Sequence, residues 1–183
     1  MDLFILRHGE AGKRLSSSSG NKDSARPLTV TDQKEVADIA ASLKDLGVKF
    51  DLIITSPLKR SHQTAAIVAK KLKDEKIMEE WDELKPEGKS TDLYRKLSSS
   101  PQLKKQQSSV LVVGHEPYLS NMIGEIIADT NGDGGGGGGG CSAHIVLRKA
   151  GLAKIRVNSS NSNKMQGELK WLLTPRHMKN MLK

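Results

Sequence analysis

Residues 2–9 read DLFILRHG. The run Leu3–Leu6 is bulky and apolar without alternation, and it stops abruptly at Arg7-His8-Gly9. A strand with no polar face has no wet side, so this run reads as a buried strand of a parallel sheet, covered by helices on both faces. The same wording recurs twice. DLIIT at 51–55 ends in Ser56-Pro57, and SVLVV at 109–113 ends in Gly114-His115. Between the runs, helical spacing takes over. Val36, Ile39, Ala40, Leu43 and Leu46 follow the i, i+3, i+4, i+7 pattern, with Thr31 as a candidate cap and Gly47 as terminator. Ser56 and Pro57 read as cap and first residue of a helix running to about Leu72, with Ala65, Val68, Ala69 and Leu72 facing inward.

The rest reads as a short strand at 76–79, a loop at 82–89, a short helix at 90–97, and a helix from Pro117 to about Ala128. A β-hairpin is expected from 143–148 and 152–157 around Ala150-Gly151, then a strand at 168–173 and a helix from Pro175 through Leu182. Strands alternate with helices and then a β-rich end follows. The expected fold is α/β: a three-layer sandwich with a central, mostly parallel sheet flanked by helices. The length of 183 residues fits one domain, 1–183. Flexible inserts are expected near 12–25, which holds Ser16–Ser19, near 131–140, which holds eight of the 17 glycines, and near 158–167.

With 36% hydrophobic and 27% charged residues, the chain is globular and polar. Six aromatic residues in all argue against base-stacking nucleic-acid modules. No apolar run approaches the roughly 18 residues of a membrane span, and Leu3–Leu6 is too short for a signal-peptide core. The single cysteine, Cys141, excludes an intrachain disulfide framework and reads as a bystander in a reducing compartment. A cytoplasmic protein is expected. The net charge of +8 resides in residues 141–183, which hold nine Lys/Arg against one Asp/Glu. A solvated basic face accounts for this, with an anionic substrate or partner as the alternative.

In doubly wound sheets, ligands sit beyond the carboxyl ends of the strands. Three such ends here carry His8 beside Arg7, Ser56 leading to Arg60, and His115. Two imidazoles and two guanidiniums in one cleft call for an anion, and Arg suits the oxygens of phosphate. The helix starts after Ser56 and Glu116 add N–H donors. The cluster therefore reads as a phosphate pocket containing a nucleophile. Other motifs carry less. The His8-Gly9-Glu10 spacing lacks the paired cysteines of a zinc deaminase, and the glycine run lacks the following Lys-Ser/Thr of a P-loop. His62 reads as a surface or supporting group, and His144 and His177 as structural or exposed.

The segments LRHGE at 6–10, SPLKRSHQTA at 56–65 and VVGHEP at 112–117 resemble the histidine phosphatase superfamily, which includes the phosphoglycerate mutases. Arg26-Pro27-Leu28-Thr29, DELKPEG at 82–88 and WLLTPRH at 171–177 resemble its small SixA-type phosphohistidine phosphatases. The resemblance implies a phosphoglycerate mutase-like fold, with His8 as the nucleophile that takes the phosphoryl group on nitrogen. It implies that Arg7, Arg60 and His115 bind the phosphoryl oxygens and that Arg26 helps hold the anion at the rim. Glu83 matches the loop carboxylate that serves larger relatives as general acid, with a solvated carboxylate as the alternative. Glu10 is a candidate supporting residue. A phosphohistidine leaving group, with a pKa roughly eight units below an alkoxide, depends less on such an acid.

The function expected is dephosphorylation of histidine-phosphorylated proteins of a phosphorelay or phosphotransfer system, by a monomer using no metal and no cofactor, with no nucleic-acid or membrane partner. The alternatives are a small-molecule phosphomonoesterase of the same superfamily and a non-catalytic anion- or protein-binding module.

Overall fold

A computed structural model describes residues 1–12, 23–105, 107–128, 145–161 and 163–180. Its elements run β1 (Asp2–Arg7), α1 (Val30–Asp45), β2 (Leu52–Thr55), α2 (Lys59–Leu72), β3 (Met78–Glu80), α3 (Ser90–Ser99), β4 (Ser109–Gly114), α4 (Tyr118–Ile127), β5 (Leu152–Ser160), β6 (Met165–Leu173) and α5 (Pro175–Asn180). The strands form one sheet in the order β3-β2-β4-β1-β5-β6. The ladders from β3 to β1 are parallel, and β5 and β6 add antiparallel at one side.

The apolar runs have the physical cause expected of them. Successive side chains of a strand point to opposite faces. Leu3, Ile5, Leu52, Ile54, Val110 and Val112 enter one core, and Phe4, Leu6, Ile53, Leu111 and Val113 enter the other. Leu93 and Leu97 of α3 with Leu119, Met122, Ile123 and Ile126 of α4 fill the first. Val36, Ile39, Ala40 and Leu43 of α1, Ala65, Val68 and Ala69 of α2, and Met178 of α5 fill the second. The architecture is the expected α/β sandwich of helices, sheet and helices.

Several local expectations are corrected. Thr29, not Thr31, caps α1, its hydroxyl accepting from the Asp32 N–H. Asp32 in turn accepts from the Thr29 hydroxyl, while the Thr29 N–H donates to the Glu10 carbonyl at 3.0 Å. Because α1 ends at Asp45, Leu46 is half exposed instead of inward. α2 begins at Lys59 with Leu58 at its cap position, so Ser56 and Pro57 precede it. The 82–89 loop contains a 3-10 turn, Asp82–Leu84, that buries Leu84. Residues 145–148 form no strand, and the hairpin partner of β5 is β6. The expected loop at 158–167 is mostly strand, because Ser159 and Ser160 pair with Gln166 and Met165 through main-chain bonds that need no apolar side chain. Asp23–Ala25 is a 3-10 turn at the end of the expected 12–25 insert. Ser16–Ser19, Gly134–Gly140, Cys141, His144 and Leu182 lie outside the described residues.

Candidate active site

Register brings the strand ends together. Arg7 pairs with Gly114 and Thr55 with Val113, so β1, β2 and β4 finish on one edge of the sheet. The next residues stay tied to it: the His8 N–H donates to the Gly114 carbonyl at 3.1 Å and the Ser56 N–H to the Val113 carbonyl at 3.0 Å. The rings of His8 and His115 consequently lie 4.8 Å apart, tilted by 58°.

Arg60 enters from the first turn of α2. That turn is pinned to β4 by the Ser61 hydroxyl, which donates to the Val113 carbonyl at 3.0 Å. The Arg60 side chain is only 9% exposed. Its Nε donates to His8 Nε2 at 3.2 Å, and its Nη1 donates to the Asp23 carbonyl at 2.9 Å. A guanidinium N–H cannot accept, so His8 Nε2 is the unprotonated nitrogen. The ring proton then sits on Nδ1, which donates to the Gly9 carbonyl at 2.5 Å. This second bond fixes the tautomer.

Burial pushes the His8 pKa down to about 4, with Arg60 and Arg7 adding to it and the Gly9 carbonyl opposing. Burial likewise pushes His115 down to about 3, helped by His8 and Arg60. Both imidazoles are therefore neutral near pH 7. His115 Nε2 lies 2.9 Å from the Ser56 hydroxyl, and its Nδ1 is buried without a partner. Arg7 donates from Nη1 to the Leu147 carbonyl at 2.9 Å, and its Nε is also buried without a partner. Two such nitrogens at one cleft are costly, and the oxygens of an anion would satisfy them.

His8, Arg7, Arg60 and His115 are thus assembled as a unit. Arg26 reaches it indirectly: its Nε and Nη2 donate to the Gly12 carbonyl at 3.0 and 2.8 Å, and its Nη1 to Asp23 Oδ1 at 2.8 Å. Glu83 is placed differently. Both its carboxylate oxygens accept from Lys96 Nζ, at 3.1 and 2.9 Å, and Lys96 also lies over the Trp81 ring. Among the described residues, no hydrogen bond joins Glu83 to His8 or His115. Glu10 turns its side chain to Lys149 at the rim. His62 faces Glu80 at 3.3 Å, and His177 is exposed beside Thr174.

The sequence reading missed four contributors. Ser56, read as a cap, is the partner of His115. Asp23 bridges Arg26 and Arg60. Asp32 accepts from the Glu10 N–H at 2.7 Å, holding the loop that follows His8. Glu116, beside His115, is partly buried and its pKa is raised by that burial, with Arg7 opposing. Only Asp32 carried a legible signal, the Thr-x-x-Asp spacing that marks a helix start.

A sequence model of the histidine phosphatase superfamily, branch 1, matches residues 3–109, more than half of the chain. The protein histidine phosphatase SixA, solved in complex with tungstate, superposes with a TM-score of 0.75 at 26% identity, covering 100% of both chains. An uncharacterized protein of Picosynechococcus sp. is 29% identical over 94% of this chain and 99% of its own length. The broad-specificity phosphatase YOR283W of Saccharomyces cerevisiae is 33% identical over 41% of this chain and 32% of its own. With a mostly parallel sheet that gathers two histidines and two arginines at one edge, the chain belongs to the histidine phosphatase superfamily, branch 1, a phosphatase built on the SixA-type fold.

Proposed function

We propose that the protein is a protein phosphohistidine phosphatase that works through a phosphohistidine intermediate on His8. The observation that carries this reading is the neutral His8, its Nε2 lone pair set by the Nδ1 bond to Gly9 and faced by Arg60. In the first step the Arg60 Nε–H turns from Nε2 to a phosphoryl oxygen, Nε2 attacks phosphorus and the N–P bond forms. The bond from phosphorus to the substrate nitrogen breaks and its electron pair stays on that nitrogen, which leaves as neutral imidazole because the ring's other nitrogen already carries a proton. Water then adds to phosphorus, the N–P bond breaks, the lone pair returns to Nε2, and inorganic phosphate leaves. Arg7, Arg60 and His115 hold the equatorial oxygens, where charge spreads in the transition state. Their fixed donors supply what a metal ion supplies elsewhere, so turnover is expected to survive exhaustive chelation with EDTA.

The substrate class is inferred from the acid. Glu83 is bound by Lys96, and a phosphoramidate leaving group needs less protonation than an alkoxide. That favours a phosphorylated histidine of a partner protein over a sugar phosphate. The second reading, a small-molecule phosphomonoesterase, draws on the kinship with a broad-specificity phosphatase. The test is kcat/KM on a phosphohistidine protein beside a panel of phosphate monoesters. At least about a hundredfold preference for the phosphoramidate is expected, roughly 3 kcal/mol in transition-state terms. A monoester turned over as well or better would overturn the substrate assignment while leaving the phosphatase assignment intact.

A further inference from the structure

Asp23 lies at the pocket and has no part in the steps above. Its carboxylate is split between two arginines: Oδ1 is 2.8 Å from Arg26 Nη1 and Oδ2 is 3.0 Å from Arg60 Nη1. Its main-chain carbonyl accepts from the same Arg60 nitrogen at 2.9 Å. Two oxygens on one atom, each on its own guanidinium, is also how a phosphoryl group would meet this pair. The Asp23 side chain is 41% exposed while that of Arg60 is 9% exposed, so the carboxylate comes from the solvent side of a buried cation.

We infer that Asp23 is the resident counter-ion of the phosphoryl pocket, a positioning residue that holds Arg60 and Arg26 and competes with bound oxyanions for them. This rests on the assignment of the pocket to a phosphoryl group. Arg26, together with Arg60, keeps the Asp23 carboxyl below its ordinary range, so it carries its charge at neutral pH. Its charge also acts on both His8 and His115, against the arginines. Three guanidiniums and one carboxylate leave two positive charges to face a phosphoryl dianion. Without the carboxylate there are three, and the product anion is held more tightly than turnover requires. A group that only braced Arg60 would have the opposite signature, since its loss would loosen the site and weaken anion binding.

The experiment is calorimetric titration of the full chain with inorganic phosphate, needing no substrate. The Asp23→Asn protein is expected to bind phosphate about tenfold more tightly than the wild type at low salt, and less distinctly so at high ionic strength. Asp23→Glu, which keeps the charge, is expected within about threefold of the wild type. Asp23→Ala repeats the Asn measurement should that variant fold poorly by circular dichroism. Unchanged or weaker phosphate binding in folded Asn and Ala proteins would refute the role of Asp23 and leave the pocket assignment standing. Failure of the wild type itself to bind phosphate would remove the pocket assignment and this inference with it.

Discussion

Replacing Arg60 by Lys keeps the charge and removes the geometry. Arg60 uses Nε for His8 and Nη1 for the carbonyl and carboxylate of Asp23. A single ammonium on a flexible stem cannot serve both ends at once. The Arg60–His8 bond must open before Nε2 can attack, so what the variant loses in the transition state is the paired grip on phosphoryl oxygens. Each charge-assisted hydrogen bond contributes ~1.5–3 kcal/mol, so two of them place the loss at ~3–6 kcal/mol. At about 1.4 kcal/mol per decade this is a fall in kcat/KM of roughly 10²–10⁴. The cost to stability is expected to be small, ~1–2 kcal/mol, because the long aliphatic stem is kept and the cations around His8 and His115 repel one another. Steady-state kinetics on a phosphohistidine protein, with urea unfolding as control, measures both quantities. A folded Arg60→Lys protein within tenfold of wild-type kcat/KM would show that charge alone matters here, and the argument from guanidinium geometry would be wrong.

Further predictions concern the other groups of the site and its border. His8→Ala is expected to abolish turnover and the acid-labile phosphoryl label on the enzyme while leaving the circular dichroism unchanged; residual turnover with a labelled enzyme would move the nucleophile elsewhere. Catalysis needs unprotonated His8, so kcat/KM is expected to hold from pH 7 down to about 5 and to fall as the pH approaches about 4. The same shift links to stability. His8 at about 4 and His115 at about 3 lie below the unfolded value of ~6.5, so below that pH the unfolded chain binds more protons. Their contribution therefore makes stability rise with pH from about 3 to 6.5 and then level off; urea midpoints for His115→Asn that keep the full wild-type slope would contradict it. Gly88→Ala puts a Cβ 2.1 Å from the Glu83 carbonyl oxygen and 3.0 Å from that of Lys85. Main chain must move, at a cost of ~1–3 kcal/mol, yet kcat/KM is expected within about threefold, since Glu83 is engaged with Lys96; a large kinetic loss would return Glu83 to the chemistry.

The parts of this fold that were legible are those where burial dictates residue type. β1, β2 and β4 are covered on both faces, so their sequences had to be apolar throughout, and Val36, Ile39, Ala40 and Leu43 had to recur at helical spacing. The convergence of His8, Arg60 and His115 followed from the order of these elements. The β5–β6 hairpin was misread because its outer half is mostly polar, sending only Val157 and Met165 into the core. Asn158, Ser159 and Ser160 are exposed and held by the ladder, and such a strand looks like a loop in composition. Asp23 was illegible for a different reason. It is one carboxylate in a polar stretch, and its meaning comes from two arginines, one of them 37 residues away in the chain.

The nucleophile and the arginines of the pocket are aimed largely by carbonyl oxygens of the backbone. Gly9 orients the His8 ring, Leu147 takes Arg7, Gly12 takes Arg26, and the Asp23 carbonyl shares Arg60. A carbonyl is the same whatever side chain its residue bears. The outward-facing letters among residues 10–12 and 145–148 can therefore be rewritten without re-aiming a single cation, provided the path of the chain is kept. Surface loops of this kind give a designer, or a lineage, room to alter which partner is received at the rim while the phosphate-handling interior stays in alignment.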